Sequence, residues 1–361
     1  MNARILLPLA AASLLAPGAL AQDATQNNAR PGSLLFFPLF DNTTSVFTFV
    51  TVTNSNDTPG SGGPTAAVVD AHFVYRNGAD CASNPNVCCL ETNNSKPLSP
   101  NDTVTVLTKL DTGWTKGYLY VYAEGTGSSQ TPIKFDHLMG AMTVFDIANA
   151  DSYEIQPYVF KAGAGITQGN TTDLDSDGLR DLNGNEYETV PDVHLVPRFF
   201  GQPDQVSTNS SSELVLIPLT GGAQFTTLVN FLIYNDNEEP FSAQTSVQCW
   251  KRMYLNDLSN AFTNSFLAST NDSSAEFVQL NGTTRGPAPQ LETGWFKFEG
   301  LVANSTATSK DNPALLAMRI DRVYVPNSNV QAAAGASLPY GKGSNNTGDL
   351  LAFGVLGDST P

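Results

Sequence analysis

The chain has 361 residues, with 34 acidic against 18 basic side chains and a formal net charge of −16. That balance repels nucleic-acid phosphates and anionic lipid surfaces and suits a protein that meets cations. The length is enough for two domains, each able to bury a core of its own.

The chain opens with Arg4, an apolar run from Ile5 through Leu20 and the small-x-small triplet Ala19-Leu20-Ala21. A basic start, a short apolar core and such a cleavage signal describe a secretory signal peptide over residues 1–21. The expected product is soluble and lies outside the cytoplasm, in the extracellular space, at the cell surface or in a periplasm. No later run has the length and apolar character of a membrane span. An exporting compartment makes disulfides the expected state of Cys81, Cys88, Cys89 and Cys249. Cys81 with Cys88 or Cys89 closes a small loop, and the other of the vicinal pair is left for Cys249. No CxxC and no nearby histidine pair points to zinc.

Ser33 to Phe40 is a continuous apolar run interrupted by Pro38, which predicts an edge position or a bend. Val46 to Thr53 is rich in β-branched and aromatic residues and reads as a strand, as does Val68 to Tyr75. Thr103 to Val106 alternates valine and threonine. After the turn Leu110-Asp111-Thr112-Gly113-Trp114, the stretch Gly117 to Ala123 puts Tyr118, Tyr120 and Tyr122 on one face and Leu119 and Val121 on the other. Ala141 to Ile147 and Tyr158 to Phe160 follow as strands. Strands recurring between turn signals, without long helical periodicity, predict an all-β fold of β-sandwich domains, jelly-roll or immunoglobulin-like.

The second half reads like the first. Glu213 to Leu219 carries an internal proline at Pro218, as Pro38 does, and Leu291-Glu292-Thr293-Gly294-Trp295 matches Leu110 to Trp114. Thr226 to Tyr234 stands where Val46 to Asn54 stood, and Leu315 to Val325 resembles the Ala141 region. These landmarks predict an internal duplication, with β-sandwich domains over 22–165 and 211–361 and a linker over 166–210.

The linker holds Asp173-Leu174-Asp175-Ser176-Asp177-Gly178-Leu179-Arg180-Asp181, followed by Asn183, Asn185 and Glu186. Oxygen side chains at alternate positions, with a glycine after the third aspartate, let a short loop fold around a hard cation. The stretch resembles the calcium loops of EF-hands, dockerins and thrombospondin type 3 modules over residues 173–186. The resemblance implies calcium bound by Asp173, Asp175 and Asp177, the Leu179 carbonyl and Asp181. The family's twelfth-position acid is replaced by Gly184, so Glu186 is the residue left to close the shell. A solvated acidic linker is the plain alternative.

Trp114 with Tyr118, Tyr120 and Tyr122 is either an aromatic platform for sugar rings or a packed sheet surface. No catalytic set stands out: the three histidines, His72, His137 and His194, lack metal spacing, and no GxSxG elbow occurs. Phe36-Phe37-Pro38-Leu39-Phe40-Asp41-Asn42, Val50 to Asn54 and Gly117 to Ala123 resemble motifs of secreted bacterial proteins of uncharacterised function. The expectation is a non-enzymatic, calcium-stabilised protein in surface structure, adhesion or filament assembly, with copies of itself or cell-surface components as partners. A carbohydrate-binding or polysaccharide-acting protein is the alternative. In a filament, Leu34 to Phe40 or Leu350 to Val355 would complete a neighbour's sheet; otherwise each stays in its own domain.

Overall fold

The computed structural model describes residues 30–57, 68–126, 131–190, 193–202, 210–219, 226–235, 238–270, 292–304, 309–311, 314–324, 331–338 and 349–350. The expected signal peptide and residues 351–355 of the expected terminal strand lie outside them. Among the described residues no helix is long and apolar enough to cross a membrane.

The first half comprises β1 (Leu34–Asp41), β2 (Val46–Asn54), β3 (Val69–Asn77), β4 (Glu91–Leu98), β5 (Thr103–Leu107), the one-turn helix α1 (Thr108–Asp111), β6 (Lys116–Glu124), β7 (Leu138–Asp146), β8 (Asp151–Ile155) and β9 (Tyr158–Phe160). One sheet has the order β4-β3-β6-β1-β9 and the other β5-β2-β7-β8. In β2 the alternation is complete: Val46, Val50 and Val52 are buried, while Thr51 and Thr53 reach the Thr105 and Thr103 hydroxyls at 3.0 and 2.9 Å. Such cross-strand pairs fix register on the solvent face while the valines fix it on the core face.

The second half comprises β10 (Arg180–Asp181), β11 (Val193–Phe200), β12 (Ser210–Pro218), β13 (Thr226–Asn235), β14 (Pro240–Val247), β15 (Lys251–Tyr254), the one-turn helix α2 (Leu255–Leu258), β16 (Thr293–Asn304), β17 (Ser309–Asp311), β18 (Leu315–Tyr324), β19 (Gln331–Ser337) and β20 (Asp349–Leu350). Its sheets run β11-β16-β13-β14, with β17 beside β16, and β15-β12-β18-β19. Replacing β1 to β6 by β11 to β16, and β7 and β8 by β18 and β19, turns the first pair of strand orders into the second, except that β9 has no counterpart and β17 is added. The chain is thus all-β, an arrangement of antiparallel sheets whose order recurs.

The residues in equivalent places differ from the sequence landmarks. β1 pairs with β6 and shifts register between Phe37 and Phe40, around Pro38; β11 pairs with β16 and shifts register between Val196 and Phe199, around Pro197. Pro197 therefore takes the place of Pro38, and Pro218 ends β12, a strand of the other sheet. Gly117 faces Phe40 as Gly294 faces Phe199, so Gly294 answers to Gly117 and not to Gly113. β11 also falls inside the stretch read as linker. β1 is bent at its proline but is not an edge strand, because it is paired on both sides, to β6 and to β9.

The halves share apolar packing. Leu214, Leu216, Leu315 and Ala317 point into the core of the second half with Phe199, Phe231 and Phe296, while Val215, Ile217, Leu316 and Met318 join the core of the first. Burial on both faces explains why β12 and the start of β18 read as unbroken apolar runs. Polar groups tie the same boundary. The Tyr158 hydroxyl donates to the Ala317 carbonyl and accepts the Leu338 N–H at 2.9 Å. A chain of five charges runs from Asp41 to Arg252 (2.8 Å), Glu213, Arg322 and Asp151, the last pair at 3.3 Å.

Candidate metal loop

The acidic stretch folds as a series of side-chain-capped turns. Asp175 Oδ1 accepts the Asp177 N–H at 3.3 Å, Asp177 Oδ1 accepts the Leu179 N–H at 2.8 Å, and Asn183 Oδ1 accepts the Asn185 N–H at 2.8 Å. Asp and Asn favour such turns because their short side chains mimic a backbone carbonyl. Ser176, Gly178 and Gly184 have φ of 63°, 81° and 87°, the left-handed conformation needed for sharp reversal, and glycine takes it without cost from a Cβ.

These turns gather the carboxylates of Asp173, Asp175 and Asp177 so that one oxygen of each lies within 4.8 Å of the others. Asp173 Oδ1 is buried without a hydrogen-bond partner. Burial raises the Asp177 pKa, and the charges of Asp175, Asp181 and Asp173 raise it further. Like charges held this closely favour either protonation or a bound cation. Three carboxylates with an orphaned oxygen fit a hard cation of the calcium type.

The remaining predicted ligands play other parts. Glu186 is buried, its Oε1 accepting the Leu174 N–H and its Oε2 the Asp181 N–H at 3.2 Å. It braces the two ends of the loop from beneath and does not join the aspartate cluster. Burial, aided by Asp181 and Asp173 and opposed by those two hydrogen bonds, pushes its pKa up to about 7. The Leu179 carbonyl accepts from Arg180 Nη1. Asp181 Oδ2 accepts from Asn183 Nδ2 at 3.0 Å. Asp175, Asp181, Asn183 and Glu186 also line a cavity of about 670 Å³ that opens beside the loop. The backbone of β10, inside the loop, pairs with β20: Arg180 opposite Leu350, and Asp181 opposite Asp349.

Residues alternating with the polar ones turn inward. Leu182 and Tyr187 are fully buried, the Tyr187 hydroxyl lies 2.7 Å from that of Thr172, and the Arg180 guanidinium lies 4.9 Å from the centre of the Tyr122 ring. A cation over an aromatic face is favourable, more so when water is excluded. The aromatic stripe does not form a platform: Tyr118, Tyr120 and Tyr122 are 5, 2 and 6 % exposed. Phe36 stacks on Tyr118 and Tyr120, with ring centres 5.2 and 6.2 Å apart. Burial raises the pKa of all three phenols. Trp114 is half-buried, and its carbonyl accepts from Asn42 Nδ2 at 3.0 Å.

The cysteines pair as Cys81–Cys88 and Cys89–Cys249, which settles the choice left open by the vicinal pair and fits an oxidising, non-cytoplasmic compartment. His72 lies 3.0 Å from Glu124, and His194 is buried with its two ring nitrogens against the Leu338 and Leu315 carbonyls, at 2.6 and 2.8 Å. Neither is part of the loop. The bracing role of Glu186 and the inward role of Arg180 were not apparent from the sequence. The only signal for them was the placement of Arg180, Leu182 and Tyr187 among acids and amides.

No family model matches the chain, and no curated protein matches it. Among solved structures, it is 10 % identical to the N-terminal tandem CBM22 domains of Xyn10C from Paenibacillus barcinonensis, over 79 % of this chain and 84 % of that one, with a TM-score of 0.17. It is 9 % identical to a chain of naturally occurring empty particles of cowpea mosaic virus, over 92 % of this chain and 98 % of that one, with a TM-score of 0.16. Likenesses at these scores carry no functional argument.

Proposed function

We propose that the protein is a secreted, calcium-stabilised, non-enzymatic component of an extracellular surface, built from two β-sandwich units that arose by duplication and acting in surface structure or adhesion. The observation that carries this reading is the joining of two features in one segment. One carboxylate oxygen each of Asp173, Asp175 and Asp177 lies within 4.8 Å of the others, and the same segment reaches into the first half, with Arg180 over the Tyr122 ring and Leu182 and Tyr187 in its apolar core. A cation there neutralises mutually repelling carboxylates and fixes the cover in place, so its effect is on stability and shape.

Two sulfur bridges and a largely acidic surface suit life outside the cell. Filament growth by donation of Leu34 to Phe40 has little support, because β1 is already paired with β6 along its length and with β9 over Leu34 to Phe36. Adhesion or lateral assembly through the surface fits better than strand exchange.

The test is thermal unfolding and light scattering of the purified protein in calcium and in chelator. Calcium should raise the melting temperature reversibly, and a site filled at one hundred times its Kd contributes about 2.7 kcal/mol. An identical melting temperature in calcium, magnesium and chelator would reduce the loop to a solvated acidic linker and end the proposal.

A further inference from the structure

A second cavity, of about 450 Å³, lies where the two halves meet, away from the metal loop. Its walls come from the cysteine loop, the start of β6, the start of β13 and the turn from β14 into β15. In a chain with almost two acids for each base, this cavity is lined by Lys116, Lys251 and Arg252. Arg252 is engaged by Asp41 and Glu213. The two lysines make no ion pair among the described residues. Lys251 Nζ is held by Thr245 Oγ1 at 2.8 Å and the Ser246 carbonyl at 3.3 Å, and Lys116 Nζ stands 5.9 Å from the centre of the Trp250 ring. The one acid in the lining, Asp80, accepts from Ser83 Oγ at 2.7 Å and from the Ala82 N–H at 3.1 Å, and these bonds, with a smaller contribution from the Lys251 charge, lower its pKa.

The rest of the lining suits a polyol ring. Thr226 and Gln248 supply hydroxyl and amide groups. Trp250, 5 % exposed, forms only the buried floor, and its indole N–H is already used by the Pro38 carbonyl at 3.1 Å. The floor is rigid: Cys89–Cys249 anchors the residue before Trp250, and a β-carbon on Gly78 would stand 2.6 Å from the indole ring. A preformed concave site with a few convergent polar groups is the usual make-up of a small-molecule site. The volume is much larger than an inorganic anion needs.

We propose that this cleft binds an acidic sugar unit, its carboxylate facing Lys116 and Lys251 and its hydroxyls meeting the polar lining at Thr226 and Gln248. The site gives an adhesive or surface protein a specific hold on acidic polysaccharide, and it stands independently of the metal loop.

The experiment is ligand-observed saturation-transfer NMR on the full protein in chelator, with sodium glucuronate as probe and glucose and inorganic phosphate as parallel arms. Glucuronate should give saturable transfer, weakened at least tenfold in Lys116→Gln/Lys251→Gln and retained in Lys116→Arg/Lys251→Arg. Both lysines lie at the surface of the cleft, and the arginine variant controls for folding. Glucose should bind at least tenfold more weakly than glucuronate. No transfer to glucuronate, wild-type binding by the glutamine variant, or displacement of glucuronate by an equal concentration of phosphate would each overturn the assignment.

Discussion

Gly117 passes so close to β3 that a β-carbon on it would stand 1.8 Å from the Arg76 carbonyl oxygen, and its φ is 154°. Gly294 repeats the arrangement in the second half, where a β-carbon would meet the Tyr234 carbonyl oxygen at 2.3 Å and the Phe199 ring at 2.7 Å. Each glycine faces the proline-bent strand on one side, while its close backbone approach is to the strand on the other, β3 for Gly117 and β13 for Gly294. Gly117→Ala and Gly294→Ala should each cost more than about 2 kcal/mol, because backbone, unlike a flexible side chain, cannot move aside. Urea unfolding of the two variants checks this. Gly113, with nothing within 4 Å of a built β-carbon, is the control, and Gly113→Ala should stay within about 0.5 kcal/mol of wild type.

Asp177 gives the metal loop a test with opposite signs. In chelator, Asp177→Asn removes one of several mutually repelling carboxylates whose pKa burial has raised, so the variant should melt above wild type. In calcium the order should reverse, because the variant loses a ligand and with it the calcium-induced rise. Melting curves of both proteins in both conditions decide the matter; parallel curves would leave the aspartates without a cation.

The two disulfides should contribute unequally. Cys89–Cys249 spans 160 residues of sequence and Cys81–Cys88 spans 7. Loop-closure entropy alone assigns about 5 kcal/mol to the first and about 2 kcal/mol to the second. The paired serine variants, compared by urea midpoint, should follow that order.

Asp151 ends the five-charge chain that crosses between the halves, and the chain holds three acids against two arginines. Burial raises the Asp151 pKa more than Arg322 lowers it, and its Oδ1 is buried without a hydrogen-bond partner. A carboxyl whose folded pKa lies above its unfolded value contributes stability below the unfolded value, near 3.8, and loses it as pH rises through the folded one. The stability difference between wild type and Asp151→Asn should therefore shift against wild type as pH rises above about 4. Urea midpoints from pH 3.5 to 6 measure it, and a flat difference would show that Arg322 offsets the burial in full.

The strands legible in the sequence are those with a strong pattern on a buried face. Val46 to Thr53, Gly117 to Ala123 and Thr226 to Tyr234 correspond to β2, β6 and β13, all internal to their sheets. The strands that escaped notice include β4, β8, β14 and β19, which lie at sheet edges and carry sequences such as Glu91 to Leu98 or Gln331 to Ser337. An edge strand is half solvated, so small and polar residues suffice, and alternation fades. That Pro197, and not Pro218, sits at a bulge like that of Pro38 was hidden for a different reason. Leu214 to Pro218 looks more like β1 than Val193 to Phe200 does, because β12 is apolar on both faces, whereas Arg198 of β11 faces solvent. At the metal loop the three aspartates were legible because spacing alone brings them together. The function of Glu186 was not, because it depends on which backbone N–H groups the fold places beneath it.

The Cys89–Cys249 bridge also has a mechanical meaning. Once the strand pairings across it have given way, such as that of β10 with β20, tension along the chain passes through the sulfur atoms and bypasses the covalent chain between them, from β4 through β14. Roughly 540 Å of extensible contour, at about 3.4 Å for each of the 160 residues spanned, stays slack until that bond is reduced. A protein anchored at one end and pulled at the other would yield first in the strands outside the bridge, β1 to β3 and β15 to β20, and would release the contour between the two cysteines only on meeting a reductant.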